Sequence, residues 1–271
     1  MTPSPHTTVV TGASSGIGAA TAQLLAARGH SVVLIGRNHD ALTTLKDGLP
    51  DVEAGPHHAL TCDVTIPTQV STAVASIIEI TGVPDGLVNA AGVCSPAPLD
   101  ELTPESWMAT LQTNLTGTFL MSQAIATGMR RAAVTGSILN LGSEASLIGM
   151  PHYAAYCASK AGVVGLTRSM AAELAPHIRV NVLCPGPVDT PMLRAELEST
   201  GDPAAGWEAE LARVPLRKVA TAHEIAEAAV WLLTAATNAT GSVLSLDGGT
   251  TGAFYGANSR SCARGCGLAC R

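Results

Sequence analysis

Short apolar runs alternate with longer stretches of helical spacing along almost the whole chain. TTVVTG near the start reads as a short buried strand, residues 16–28 as a helix, and SVVLIG from Ser31 as a second strand, giving a βαβ opening. A polar helix is predicted after Asn38, a strand at 57–61, a helix at 67–81 and an apolar strand GLVNA from Gly86. A long helix over 104–132 follows, then strand GSILNL, a helix around Tyr156 and strand IRVNVLCPG. A helical insertion at 191–213, a helix at 224–235 and a final strand SVLSLDGG complete the order. Such alternation predicts an α/β fold: a doubly wound, Rossmann-like parallel sheet of about seven strands. No repeat or low-complexity linker divides it, so residues 1–252 are expected to form a single domain. Past Gly252 the periodicity fades, and 253–271 reads as a weakly structured tail.

Charge and cysteine usage narrow the function. Only 13% of the 271 residues are charged and the net charge is −6, which argues against a nucleic-acid partner. No apolar run reaches the roughly 18 residues of a membrane span. The opening MTPSPHTTVVTG lacks the basic and apolar regions of a secretory leader, so a cytoplasmic protein without membrane contact is expected. Cys62, Cys94, Cys157 and Cys184 lie in apolar or motif-rich stretches and read as free, buried thiols. Cys262, Cys266 and Cys270 in the tail lack C-x2-C spacing and a neighbouring His, and no metal site is predicted.

TGASSGIG places Gly12, Ser14, Ser15, Gly16, Ile17 and Gly18 in the turn between the first strand and first helix. Glycines there let the backbone approach a pyrophosphate, and the helix N-terminus offers free N–H donors. The end of the second strand selects between the two nicotinamide dinucleotides. A carboxylate there would accept from a ribose 2′-hydroxyl, but this chain has Gly36 followed by Arg37, whose guanidinium suits a 2′-phosphate. NADP(H) is therefore favoured over NAD(H), with Ser14 and Asn38 assisting. Asp63 and Val64 follow the third strand. Asp63 is placed to accept from an adenine amino group, with a helix N-cap as the alternative role.

Tyr156 and Lys160 stand four apart in HYAAYCASKAGVVGL and share a helix face, with Ser143 thirteen residues ahead of the tyrosine. Bringing a phenol from its ordinary pKa near 10 to about 7 takes roughly 4 kcal/mol of differential stabilisation, which an adjacent cation can supply. Of the three lysines, Lys46, Lys160 and Lys218, Lys160 alone lies among small and apolar residues.

TGASSGIG, NAAG at 89–92, Asn114, the Ser143, Tyr156 and Lys160 triple, and PGPVDT at 185–190 occur in the order and spacing of one family. From about residue 7 to 249 the chain closely resembles the classical short-chain dehydrogenases/reductases. The resemblance implies that Tyr156 is general acid in carbonyl reduction and base in alcohol oxidation, that Ser143 bonds the substrate oxygen, and that Lys160 lowers the tyrosine pKa and holds the nicotinamide ribose. It implies that Asn114 completes a catalytic tetrad through a water near the lysine. Asn is a poor former of helix interiors, so a local irregularity is expected there. The resemblance assigns Asn89, Ala90 and Gly92 to the adenosine side and to sheet packing, and Pro185, Gly186, Val188 and Thr190 to the nicotinamide. Two departures, Ala90 for the family's second Asn and Gly142 ahead of Ser143, remove no catalytic group. The family also implies a homo-oligomer, dimer or tetramer, joined through the helices holding Asn114 and Tyr156.

The pocket is expected from residues 94–98, 144–153 and 190–213, the last carrying Met192, Leu193 and Trp207. Glu144 beside the serine and His152 near the tyrosine offer groups for a polar substituent, but each is expected to be a solvated loop position. A moderately apolar ketone or its secondary alcohol is the predicted small-molecule substrate. One alternative is a 3-oxoacyl thioester on acyl carrier protein, docked by Arg130, Arg131 and Arg168. Another is a catalytically silent NADP-binding sensor or structural subunit.

Overall fold

The computed structural model describes residues 6–252; the tail at 253–271, with its three cysteines, lies outside the described residues. The first half runs β1 (Thr7–Thr11), α1 (Gly16–Ala27), β2 (Ser31–Gly36), α2 (His39–Asp47), β3 (His58–Thr61), α3 (Pro67–Thr81) and β4 (Gly86–Asn89). Next come α4 (Pro104–Leu111), a π turn (Gln112–Thr116), α5 (Gly117–Arg131), β5 (Gly136–Leu141), a short 3₁₀ turn (Glu144–Ser146), α6 (Ala154–Leu174) and β6 (Ile178–Pro185). The chain then forms β7 (Val188–Asp189), α7 (Pro191–Ser199), α8 (Pro203–Arg213), β8 (Ala220–Thr221), α9 (Ala222–Thr234) and β9 (Val243–Leu246).

Seven strands make one parallel sheet in the order β3-β2-β1-β4-β5-β6-β9. Because successive strand residues point to opposite faces, each strand feeds two cores. Val9, Val33, Leu87, Ile138 and Val180 meet α3, α5 and α6 on one side. Val10, Val32, Val88, Leu139 and Leu183 meet α1, α2 and α9 on the other. The strand order reverses between β1 and β4, which opens a crevice at their C-terminal ends.

The predicted helix over 104–132 is interrupted by the π turn, whose extra residue separates α4 from α5 and forms the local irregularity expected at Asn114. One feature departs from the sequence reading. A second, two-stranded parallel sheet joins β7 to β8 and anchors the segment bearing α7 and α8. Strands of two residues leave no periodicity to detect.

Candidate active site

The crevice between β1 and β4 is sealed at its base by the Thr11 hydroxyl, which accepts from the backbone N–H of Ala90 at 3.1 Å and of Ala91 at 3.2 Å. Above it Gly12 adopts φ +65°, and a Cβ there would stand 2.7 Å from the Ala90 oxygen. Gly18 packs on the carbonyl of Gly12, again with no room for a Cβ. Ser15, extended at the N-cap of α1, makes no side-chain cap, so the first-turn N–H groups of that helix stay free for a ligand. Gly12, Ser14, Ser15, Gly16, Ile17 and Gly18 all line a cleft of about 960 Å³, and Arg37, Asp63, Val64, Ala90 and Gly92 line its far side. Glycine backbone, free helix donors and a basic rim fit a dinucleotide pyrophosphate and ribose.

Arg37 is exposed on that rim and makes no ion pair among the described residues. Asn38 does not line the cleft; its side chain caps α2 by accepting from Ala41 N–H at 3.1 Å. Asp63 is not the N-cap of α3, a position held by Ile66. Instead its Oδ1 accepts from the backbone N–H and the hydroxyl of Thr65 at 2.9 and 2.7 Å. Burial acts against the Asp63 charge, but these bonds and the field of Arg37 outweigh it and hold the carboxyl below its ordinary range. Asn89 turns away from the cleft: its amide donates to Ser122 at 2.8 Å and to Asn140 at 2.9 Å within the core. These bonds serve sheet packing, one of the two roles expected of it.

Ser143 follows β5, Tyr156 lies in the first turn of α6, and Lys160 lies one turn further on. Lys160 is buried, donates to the Leu141 carbonyl at 2.8 Å and sits 5.7 Å from the Tyr156 ring centroid. Asn114 is fully buried rather than a surface amide. Its Oδ1 accepts from Val93 N–H at 2.8 Å, and its Nδ2 donates to the Val93 carbonyl at 2.9 Å and to the Ser159 hydroxyl at 3.0 Å. Ser159 in turn donates to the Tyr156 carbonyl at 2.8 Å. Asn114 thus ties the segment after β4 to the backbone of the tyrosine.

The electrostatics differ from the expected tuning. Burial raises the Tyr156 phenol above its ordinary range, with Cys94, Glu196 and Glu144 adding to the rise, and the hydrogen bond with Ser143 acts in the opposite direction. Burial also lowers Lys160, to about 8. The Lys160 ammonium is directed to the Leu141 carbonyl rather than to the phenol oxygen.

A second pocket of about 680 Å³ opens beside Ser143 and Tyr156. Ile17, Thr190 and Met192 line both it and the dinucleotide cleft. Pro185, Gly186 and Val188 border this pocket rather than the cleft. Met150, Met192 and Leu193 supply the expected apolar lining, whereas Trp207 and His152 stand outside it. Glu144 is not solvated: it is 3% exposed, and its Oε1 meets Arg213 Nη2 at 2.6 Å. Arg213 also meets Glu210 at 2.6 Å, while Tyr153 donates to Glu196. Helices α7 and α8 are therefore tethered to the pocket wall by two polar contacts. Nothing adjacent in sequence announces them, since each partner comes from a distant segment.

A family profile described as Enoyl-(Acyl carrier protein) reductase matches residues 12–251. The chain belongs to the short-chain dehydrogenase/reductase family. It is 38% identical over 252 residues to a 2,5-dichloro-2,5-cyclohexadiene-1,4-diol dehydrogenase of Sphingobium indicum, covering 92% of this chain and 98% of that one. Over 192 residues it is 44% identical to the inactive 2-(S)-hydroxypropyl-CoM dehydrogenase 2 of Xanthobacter autotrophicus, covering 70% of this chain and 83% of that one. The structure of an actinorhodin polyketide ketoreductase variant with NADPH superposes with a TM-score of 0.86 at 34% identity, over 92% of this chain and 98% of that one. These relationships support a short-chain oxidoreductase acting on alcohols and ketones with a nicotinamide cofactor. No helix among the described residues is long and apolar enough to cross a membrane.

Proposed function

We propose that the protein is an NADP(H)-dependent oxidoreductase interconverting a small-molecule ketone and its secondary alcohol, with Tyr156 as general acid/base. The observation that carries this reading is the convergence of Ser143, Tyr156 and buried Lys160 where the pocket adjoins the glycine-lined cleft. When bound, the nicotinamide supplies or accepts the hydride. Tyr156, protonated at neutral pH, donates a proton to the carbonyl oxygen as negative charge develops there. The Ser143 hydroxyl bonds the same oxygen and preorganises the donor set. Lys160 supplies positive charge beside the phenol and a donor for the ribose, while Asn114 positions the tyrosine through Ser159.

NADP(H) is favoured by Arg37 at the rim and by the absence of a carboxylate at Gly36. The NADPH carried by the related ketoreductase structure supports the same choice. Purified protein tested with NADPH against a ketone panel should consume the cofactor. Binding of NADPH without reduction of any member would instead favour the catalytically silent subunit, the reading suggested by the inactive relative. For the acyl-carrier-protein alternative, Arg130 is already engaged with Glu173 at 3.7 Å, which weakens that docking face. We further read the protein as a cytoplasmic homo-oligomer, its single domain spanning 1–252 and its interface including the partly exposed Met108 of α4 and Phe119 of α5. Light scattering giving a one-subunit mass would reject the oligomer.

A further inference from the structure

Glu144 carries chemistry that proton and hydride transfer do not use. Its side chain is 4% exposed, Arg213 holds Oε1 at 2.6 Å, and Oε2, buried on the pocket wall, has no hydrogen-bond partner among the described residues. A buried acceptor without a donor is costly, and such an atom at the edge of a binding pocket is completed by a ligand that brings one. The surrounding charge specifies the donor. Glu144, Glu196 and Glu210 face a single Arg213 in the pocket lining, which disfavours an anionic substrate. A second cation at Glu144 would stand beside the guanidinium already bound to the other oxygen. A neutral hydroxyl suits both constraints.

We propose that Glu144 is a specificity-determining residue that accepts a hydrogen bond from a second substrate hydroxyl, so that the preferred substrate is a diol or the matching hydroxyketone. Glu144 directly follows Ser143, which places the recognised hydroxyl close to the reacting carbon. Arg213, at the end of α8, holds the carboxylate in place. This inference rests on the oxidoreductase reading for its turnover arm but not for its binding arm.

The test uses the full chain saturated with NADP and matched pairs: butane-2,3-diol against butan-2-ol, and cyclohexane-1,2-diol against cyclohexanol. Affinity is measured by calorimetry and kcat/KM by cofactor absorbance. Wild type is expected to prefer the diols by about ten- to a hundredfold, the factor contributed by one hydrogen bond to a charged acceptor. Glu144→Leu should bring the ratio close to one, with Glu144→Gln intermediate, and dinucleotide fluorescence reports whether each variant is folded. If Glu144→Leu fails to fold, Glu144→Gln decides. Absence of a preference in wild type, or its persistence in the folded variants, overturns the proposal. A diol preference in binding that the variants lose, without turnover, would uphold the hydroxyl site and refute the oxidoreductase reading.

Discussion

Lys160 reaches past the ring of Tyr156, 5.7 Å from its centroid, to bond the carbonyl of Leu141 at 2.8 Å. The ammonium is therefore held by the sheet and acts on the phenol through space. Its lowered pKa, about 8, has a direct consequence for the pH profile. The lysine is charged below that value and neutral above it. The kcat/KM for ketone reduction should be level on the acid side and fall as pH rises through about 8. A profile level to about pH 10, about two units beyond the lysine, would dissociate the lysine charge from catalysis.

Removing the proton donor tests the tyrosine itself. Tyr156→Phe should lower kcat by about 10²- to 10⁴-fold, the usual contribution of a positioned general acid. Dinucleotide binding, followed by fluorescence titration, should persist, because the glycine turn and the free N–H groups of α1 are untouched.

Arg37→Ala should reduce kcat/KM with NADPH by about ten- to a hundredfold, the loss expected for a charge-assisted bond to phosphate, and leave NADH use much less affected. Raised salt should weaken NADPH binding in the wild type more than in the variant. Equal use of both dinucleotides by wild type would remove the arginine from cofactor selection.

Gly12→Ala introduces a Cβ 2.7 Å from the Ala90 oxygen at φ +65°. Strain and displacement together should cost about 1–3 kcal/mol or more. Thermal unfolding should shift downward, and dinucleotide affinity should fall with it. An unchanged melting temperature would mean that the turn relaxes freely.

The elements that position the cofactor were legible because their signals are local. TTVVTG, SVVLIG and GSILNL are short runs with apolar centres whose residues end up almost all buried, and the glycines of the first turn stand where a helix begins. Asn114 signalled an irregular helix through its own poor propensity, but the π geometry depends on its bonds to Val93 and Ser159. The character of Glu144 was hidden. Beside a loop serine it reads as solvated, and only the folded chain brings Arg213 to it. Asn89 was likewise ambiguous until Ser122 and Asn140 claimed its amide.

The π turn between α4 and α5 also acts as a phase adjuster. Each residue turns an α-helix by about 100°, so an additional residue in unbroken α geometry would swing everything downstream by that angle, and the wider π turn absorbs it. In this chain it lets Asn114 face Val93 while Met121, Ile125 and Met129 still face the sheet. Deleting one residue from 112–116 should straighten the helix, keep that apolar stripe on the core and withdraw the Asn114 side chain from Val93. Length, more than composition, is what this short segment contributes.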